Sequence, residues 1–464
     1  MHILDLPAEL LIAIIVHLPR HPEKDYTTVD ESLRNLAGGH LTPLSLVCST
    51  WRRVVQGTPS LWARITLHGP VWEISLRRGM HILRTSLSRA DTHPLDIVVS
   101  SPPHRPALDL LAARAEQWRT LRIFCYARDL RYLGSLGRRF AALESVDVRV
   151  DGLRWDGGGP VSEMDLFEHS VKLRAISGSS AYILRLPSLR VERLLFIRLD
   201  EIDRMSVPRI PSVMARLPVG STCVLSFANC SIFIDKSVSN PPPHATSLSH
   251  VRALHLLELD RGNSWHNIIS NLTLPDLEHL CLSTHDGLRS TRLAVQWAAS
   301  VFLSLASRSG FGPRLRTLCL HGVFLPESDL IACLEALPVL ESLALADHLN
   351  GVTSDLTMSP VYAVTDRLLG ELTMRAQTLV PCLRLLHCRT LLGFQTQSLL
   401  AFLVSRMIED GTCFACILDQ LGGPQDEVPI DLVEIEILCS TGKLAFTLSN
   451  RSPSVVAAFE VSHD

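Results

Sequence analysis

The sequence predicts an α/β chain: a short N-terminal module of three helices, then a long irregular solenoid of strands and return segments. Three observations predict it. Cap-and-proline starts and one amphipathic run fall within the first 67 residues. The phrase Leu-x-x-Leu-x-Leu then returns with variation seven times between Leu121 and Cys388. Segments of helical periodicity lie between those phrases.

The first helix starts at Asp5-Leu6-Pro7-Ala8-Glu9. Proline in the first turn loses no needed donor, Asp5 can cap, and Glu9 suits the positive end of the dipole. The run from Leu10 to Val16 is apolar on nearly all sides. Leu6, Leu10, Ile14 and Leu18 share one stripe, Leu11 and Ile15 a second, Ile12 and Val16 a third. A helix that is apolar all round must be covered all round.

Residues His21–Gly39 read as an inserted polar loop. Thr42-Pro43 repeats the cap-and-proline start, and Leu44, Val47, Cys48, Trp51 and Val55 recur at helical spacing. Arg52 and Arg53 suit the negative end of that helix, and Gly57 ends it. Thr58-Pro59 opens a third short helix carrying Leu61 and Trp62, and Ile65-Thr66-Leu67 reads as a first strand. So small a module has a limited core of its own. Either a protein partner or the following repeats must shield the first helix.

Leu6-Pro7-Ala8-Glu9-Leu10, then Leu18, Leu46-Val47-Cys48-Ser49-Thr50-Trp51-Arg52 and Pro59-Ser60-Leu61-Trp62-Ala63-Arg64-Ile65 resemble the F-box-like domain, in the version found in large fungal families. The resemblance covers about the first 67 residues and is carried by the phrases in order. It implies docking onto the Skp-type adaptor of a Skp–cullin–F-box ubiquitin ligase, and through it onto a cullin. By position it implies that Leu6, Pro7, Leu10, Ile14, Leu46, Val47 and Trp51 contact the adaptor or shape that surface. The two roles are not separated at this level. The long loop 21–39 either projects, at little entropic cost, or obstructs docking.

Beyond Leu67 the phrase is led by Leu121, Leu143, Val251, Leu277, Leu315, Leu340 and Leu383, with weaker candidates at Leu173, Leu189 and Val224–Phe227. Its alternating end is a strand with one face buried. A strand plus its return segment cannot bury its own apolar face, so neighbours stack. Helical returns are expected at Leu108–Trp118, Trp297–Leu305, Asp329–Leu337, Asp366–Ala376 and Leu399–Ile408. Lead residues at 277, 315, 340 and 383 are 38, 25 and 43 residues apart, against roughly 20–29 in regular arrays. The region therefore resembles the degenerate leucine-rich-repeat solenoid common behind F-boxes. Ser101–Pro106, Gly157–Pro160 and Asn240–Pro243 read as loops, and Val428–Phe446, where Val433, Ile435 and Ile437 alternate, as final strands with a cap. The domains expected are 1–67 and 68–464.

Composition narrows the function. The 464 residues are 47% hydrophobic and 20% charged, a globular balance. A net charge of −3 gives no global attraction to nucleic acid or anionic lipid, so neither is an expected partner. Leu10–Leu18 is too short to span a bilayer and lacks a basic flank, and the 12 cysteines form no dense framework. A cytoplasmic or nuclear protein with reduced thiols is expected, and the acceptor-like sequons at Asn229, Asn271 and Asn450 are then chance. Of the 44 basic residues only four are lysine: Lys24, Lys172, Lys236 and Lys443. Codon bias explains that; a ligase subunit would also gain from few self-modification sites.

No hydrolase, zincin, phosphate-loop or dinucleotide motif occurs. Cys413-x-x-Cys416 stands alone and reads as a buried apolar pair rather than a metal site. Aligned phrases put Asp147, His255, Cys281, Cys319, Ala344 and His387 at one outward position. His255, Cys281 and Cys319 could form a metal or reactive-thiol row, but the 38-residue gap argues against consecutive stacking. That row reads instead as a semi-buried binding surface. The expectation is a substrate receptor that tethers an unknown protein target and does no bond chemistry, without cofactor or metal. The alternative is a repeat scaffold acting outside any ligase.

Overall fold

A computed structural model describes residues 6–17, 41–67, 76–100, 104–135, 140–151, 167, 170–186, 189–202, 206–227, 246–257, 264–283, 295–296, 299–321, 323–347, 363–376, 378–390, 392–407, 413–420, 432–441 and 443–449. Leu18 and the loop 21–39 lie outside them. The chain divides into two compact units, Met1–Ile197 and Arg198–Asp464.

The first unit opens with helices Ala8–His17, Leu41–Ser45, Ser49–Gly57 and Pro59–Trp62. The one helix expected over Leu44–Val55 is therefore two, and the described residues of the N-terminal module, up to Leu67, hold four helical segments rather than three. Cys48 is the reason. Its backbone is extended, at φ −161° and ψ 177°, and its Sγ accepts from Trp51 N at 3.5 Å, as an N-cap does. Leu46 N and Val47 N close tight turns onto Pro43 O and Leu44 O at 3.0 and 3.3 Å. Trp51, Val54 and Val55 face inward from the second of these helices.

Strands Arg64–Leu67, Leu95–Val99, Trp118–Tyr126, Ser145–Asp151 and Ala175–Ser179 come next, each parallel to its successor. Ile65, Ile97, Leu121, Val146 and Ile176 are partners along one buried row. Alternation explains it: every second side chain faces the core. The lead residue of the third strand is Trp118, so Leu121 holds the second apolar slot and not the first. Leu95–Val99, which carried no expectation, alternates in the same way. Helix Leu76–Ala90 returns the chain and buries Met80, Leu83, Leu87 and Ala90 at helical spacing. The expected return at Leu108–Trp118 is helix Arg105–Ala112, with Trp118 already opening the strand. Gly178, at φ +147°, passes Val148 so closely that a Cβ would stand 2.0 Å from its carbonyl oxygen.

The strand Phe196–Ile202 carries the division between the units. It begins seven residues after Leu189, so Leu189 does not lead it. Leu194, Ile197 and Leu199 supply the buried frame.

In the second unit eight strands run parallel in this order: Thr222–Phe227, Ala253–Leu257, His279–Ser283, Thr317–His321, Ser342–Ala346, Leu385–Thr390, Phe414–Gln420 and Leu444–Ser449. Leu254, Leu280, Leu318, Leu343, Leu386 and Cys416 form one buried row across them. Helices Ser264–Ser270, Ala299–Ser309, Glu327–Glu335, Asp366–Met374, Thr396–Met407 and Leu432–Ser440 lie between the strands in sequence. The strands expected within Val428–Phe446 are a correction: residues 432–440 are helical, and one strand comes after them. A parallel pair needs a crossover between its strands, and this segment supplies it. Ile435 is buried and Ile437 exposed, so the alternation there was not a sheet signal. The expected buried pair of cysteines is also half right. Cys416 points into the core from the seventh strand, while Cys413 precedes that strand and is exposed.

Candidate functional site

Helix Ala8–His17 buries one stripe and leaves another open. Leu11 and Ile15 are 0% exposed, on the side that packs against Ser49–Gly57. Leu10 is 49% and Ile14 38% exposed. Pro7, Ala8, Glu9 and Ala13 are exposed beside them, and Leu6 is half-buried. The turn that splits the next helices projects Leu46 and Val47, 70% and 59% exposed. Ser45 Oγ donates to Thr42 O at 2.7 Å and Arg52 Nε to Ser45 O at 3.1 Å, which fixes that turn. The module thus leaves four large aliphatic side chains to solvent. Trp51 differs from the other candidates: it is 6% exposed and sits in the module's core.

Two residues with no expected role anchor the helical module to the first strands. Trp62 Nε1 donates to Val55 O at 2.7 Å, and the Arg89 guanidinium lies 4.3 Å over the Trp62 ring. Arg89 belongs to the return helix Leu76–Ala90, between the first two strands. The only available signal was the pairing of Trp62 with an amphipathic run one turn-and-strand later.

The face of the second unit's sheet opposite the leucine row is semi-buried: Val224, Cys319, Ala344 and His387 are buried, and His255, Cys281 and Ile417 half-buried. Val224, His255, Cys281, Cys319, Ala344, His387 and Ile417 are partners in consecutive strands. The 38-residue spacing does not interrupt the stacking. The chain leaves the sheet after Ser283, forms helix Ala299–Ser309 and re-enters in register at Thr317. Two imidazoles on this face have polar partners: flanking His279 Nδ1 lies 3.0 Å from Thr317 Oγ1, and within the row His387 Nε2 lies 2.9 Å from Asp419 Oδ2. Burial, reinforced by Arg252, pushes the His279 pKa below the usual value for histidine. Among the described residues no three His, Cys, Asp or Glu side chains converge to hold a metal ion.

Charge alternates one residue before the strands, a signal carried by the phrase itself. Glu144 and Arg174 do so in the first unit, and Arg252, Glu278, Arg316, Glu341 and Arg384 in the second. Arg252–Glu278 and Arg316–Glu341 pair at 2.9 and 2.7 Å. Exposed pairs of this kind contribute about 0–1 kcal/mol each. A slip by one strand would set like charges side by side.

Among the described residues no helix is long and apolar enough to cross a membrane. Residues 3–68 match the F-box-like family. No curated protein matches the chain. Among solved structures, the chain is similar to one of the yeast Rad7–Elc1 complex, at 15% identity over 76% of this chain and 88% of that one, with a TM-score of 0.31. It is also similar to a Bacteroides fragilis protein, at 13% identity over 67% and 66% of the two chains, with a TM-score of 0.29. Likenesses of that depth carry no argument about function.

Proposed function

With an F-box-like domain at residues 3–68 as premise, we propose that this chain is the substrate-recognition subunit of a Skp–cullin–F-box ubiquitin ligase. Residues 1–67, of the fungal F-box-like type, dock the Skp-type adaptor and through it a cullin. Residues 68–464, a degenerate leucine-rich-repeat-like solenoid, hold a protein target. The chain itself tethers rather than catalyses, in the cytoplasm or nucleus. The effect of tethering is local concentration: a bound target meets the ligase's transfer machinery as an intramolecular partner.

One observation carries this reading: the open aliphatic surface of the first helix and the Leu46–Val47 turn, inside the matched domain. A fully buried aliphatic side chain contributes about 1.5–3 kcal/mol over an exposed one. Leu10, Ile14, Leu46 and Val47 each recover part of that under an adaptor. Four such contributions of on the order of 1 kcal/mol correspond to roughly a thousandfold in affinity. Leu6 and Pro7 lead into the same helix, and Trp51 holds its underside in place.

Co-purification tests the reading. Full-length chain expressed with a Skp-type adaptor should elute with it. The Leu10→Asp/Val47→Asp double variant should lose the adaptor while keeping the wild-type circular dichroism spectrum. An adaptor retained by that variant would count against this surface, and no adaptor with the wild type against the ligase assignment.

A further inference from the structure

Cys281 and Cys319 are Cα partners in adjoining parallel strands. Partnered residues point to the same face, and adjoining strands lie about 4.8 Å apart. A disulfide joins Cα atoms about 4.4–6.8 Å apart, so the backbone already holds the two residues at bridging separation. Both stand on the face opposite the Leu280–Leu318 core row. Their access differs: Cys281 is half-buried and Cys319 buried, and neither is in a disulfide. His255 is the partner of Cys281 on its other side. His279 and His321 stand two residues along the same strands, on the same face.

Among the register partners of the described strands no other two cysteines meet. Cys388 and Cys416 share neighbouring strands, but Cys388 is opposite Leu418 and Cys416 opposite Leu386. Both are in the core, where burial pushes the Cys416 thiol up to about 12 and holds it protonated. Cys281 and Cys319 thus combine register with a route to solvent at one of the two sulfurs, that of half-buried Cys281.

We propose that Cys281 and Cys319 form a peroxide-oxidisable dithiol, with Cys281 attacking and Cys319 resolving. The Cys281 thiolate attacks one oxygen of hydrogen peroxide. An S–O bond forms, the O–O bond breaks, and the departing hydroxide takes up a proton to leave as water. The Cys319 thiolate then attacks the sulfenic sulfur. An S–S bond forms, the S–O bond breaks, and hydroxide leaves with the proton that Cys319 gave up, as a second water. Two thiols lose two electrons in total and the peroxide gains them. The order follows from access, because the half-buried sulfur meets the oxidant first. The bridge would lock two strands of the outward face across the stretch that the 38-residue spacing separates in sequence. This chemistry is independent of whether the chain docks an adaptor.

Reduced full-length chain treated with hydrogen peroxide, alkylated, digested and weighed by mass spectrometry tests it. The expected first product among the 12 cysteines is a Cys281–Cys319 cross-linked peptide pair, lighter by two hydrogens and restored by thiol reductant. In Cys319→Ser, a sulfenic-acid trap should label Cys281. In Cys281→Ser, Cys319 should react at least tenfold more slowly than Cys281 does in the wild type. In urea the preference for this pair should vanish, which separates folded geometry from chance pairing. A different first disulfide, over-oxidation of Cys281 without a bridge, or Cys319 in Cys281→Ser reacting as fast as Cys281 does in the wild type would overturn it.

Discussion

Replacing Arg406 by lysine keeps a positive charge and removes a fork. Arg406 is buried in helix Thr396–Met407. One terminal nitrogen donates to Ala376 O and Val380 O at 3.2 and 3.0 Å, the other to Leu372 O and Leu379 O at 3.0 and 3.3 Å. Those carbonyls end helix Asp366–Met374 and form the turn beyond it, where main-chain acceptors lack helical partners and the dipole is negative. Val380 sits at φ +46°, a costly conformation for a β-branched residue, and its carbonyl is one of the four held. A lysine ammonium is a point donor and cannot span them. A hydrogen bond to a charged group contributes about 1.5–3 kcal/mol net, so losing two of the four costs about 3 kcal/mol or more. A global melting point averages such a loss over the whole chain, so the assay is native-state amide exchange over Asp366–Met374. Arg406→Lys should speed that exchange by at least about a hundredfold. Arg375→Lys, which perturbs the exposed pairs with Glu335 at 2.8 Å and Glu371 at 4.0 Å, should change it by less than about fivefold. Exchange in Arg406→Lys within threefold of wild type would refute the capping role. Arg308 repeats the device, with Nε on Leu272 O at 2.7 Å and a terminal nitrogen on Ile269 O.

Packing and charge have further consequences. Leu11→Ala and Ile15→Ala should each lose about 2–5 kcal/mol in urea unfolding, whereas Leu10→Ala should change stability by under about 0.5 kcal/mol. Gly178→Ala should cost more than about 3 kcal/mol, read as loss of soluble protein or a lowered urea midpoint, because its Cβ would overlap Val148 O. Burial lowers the pKa of both His266 and His279 below the ordinary histidine value of 6.5, so the folded chain binds fewer protons there than the unfolded one. Stability should therefore be complete above pH 6.5 and fall as pH drops through the lowered values, and His279→Gln should flatten that slope in urea titrations across the range. No pH dependence below 6.5 would contradict the burial of these imidazoles.

The strands were readable because Leu-x-x-Leu-x-Leu states both alternation and lead residue. Thr317–His321 and Ser342–Ala346 start two residues after Leu315 and Leu340, as the phrase requires. Where another aromatic or aliphatic led, the frame shifted: Trp118 displaced Leu121, and Leu194 displaced Leu189. Period-two spacing misled at Val433–Ile437, because a short apolar run fits a helix or a strand equally well. The break at Cys48 escaped because a thiol is a weak cap and the apolar spacing runs through it. At the candidate site, the first helix was visibly apolar all round. Which stripe it buries was not readable, since that depends on where Ser49–Gly57 packs. The aligned phrases did put Cys281 and Cys319 at one position, but the 38-residue gap argued against their stacking: sequence distance does not say where a long excursion re-enters a sheet.

Titration calorimetry of a purified Skp-type adaptor against the full-length chain decides whether the first helix is a docking face. The expected result is one-to-one binding, weakened at least about a hundredfold by Leu10→Asp and left within threefold by Leu248→Asp, an equally exposed aliphatic in the second unit. Equal affinities for the wild type and Leu10→Asp, with both chains folded, would show that the open face of the first helix is not where the adaptor sits.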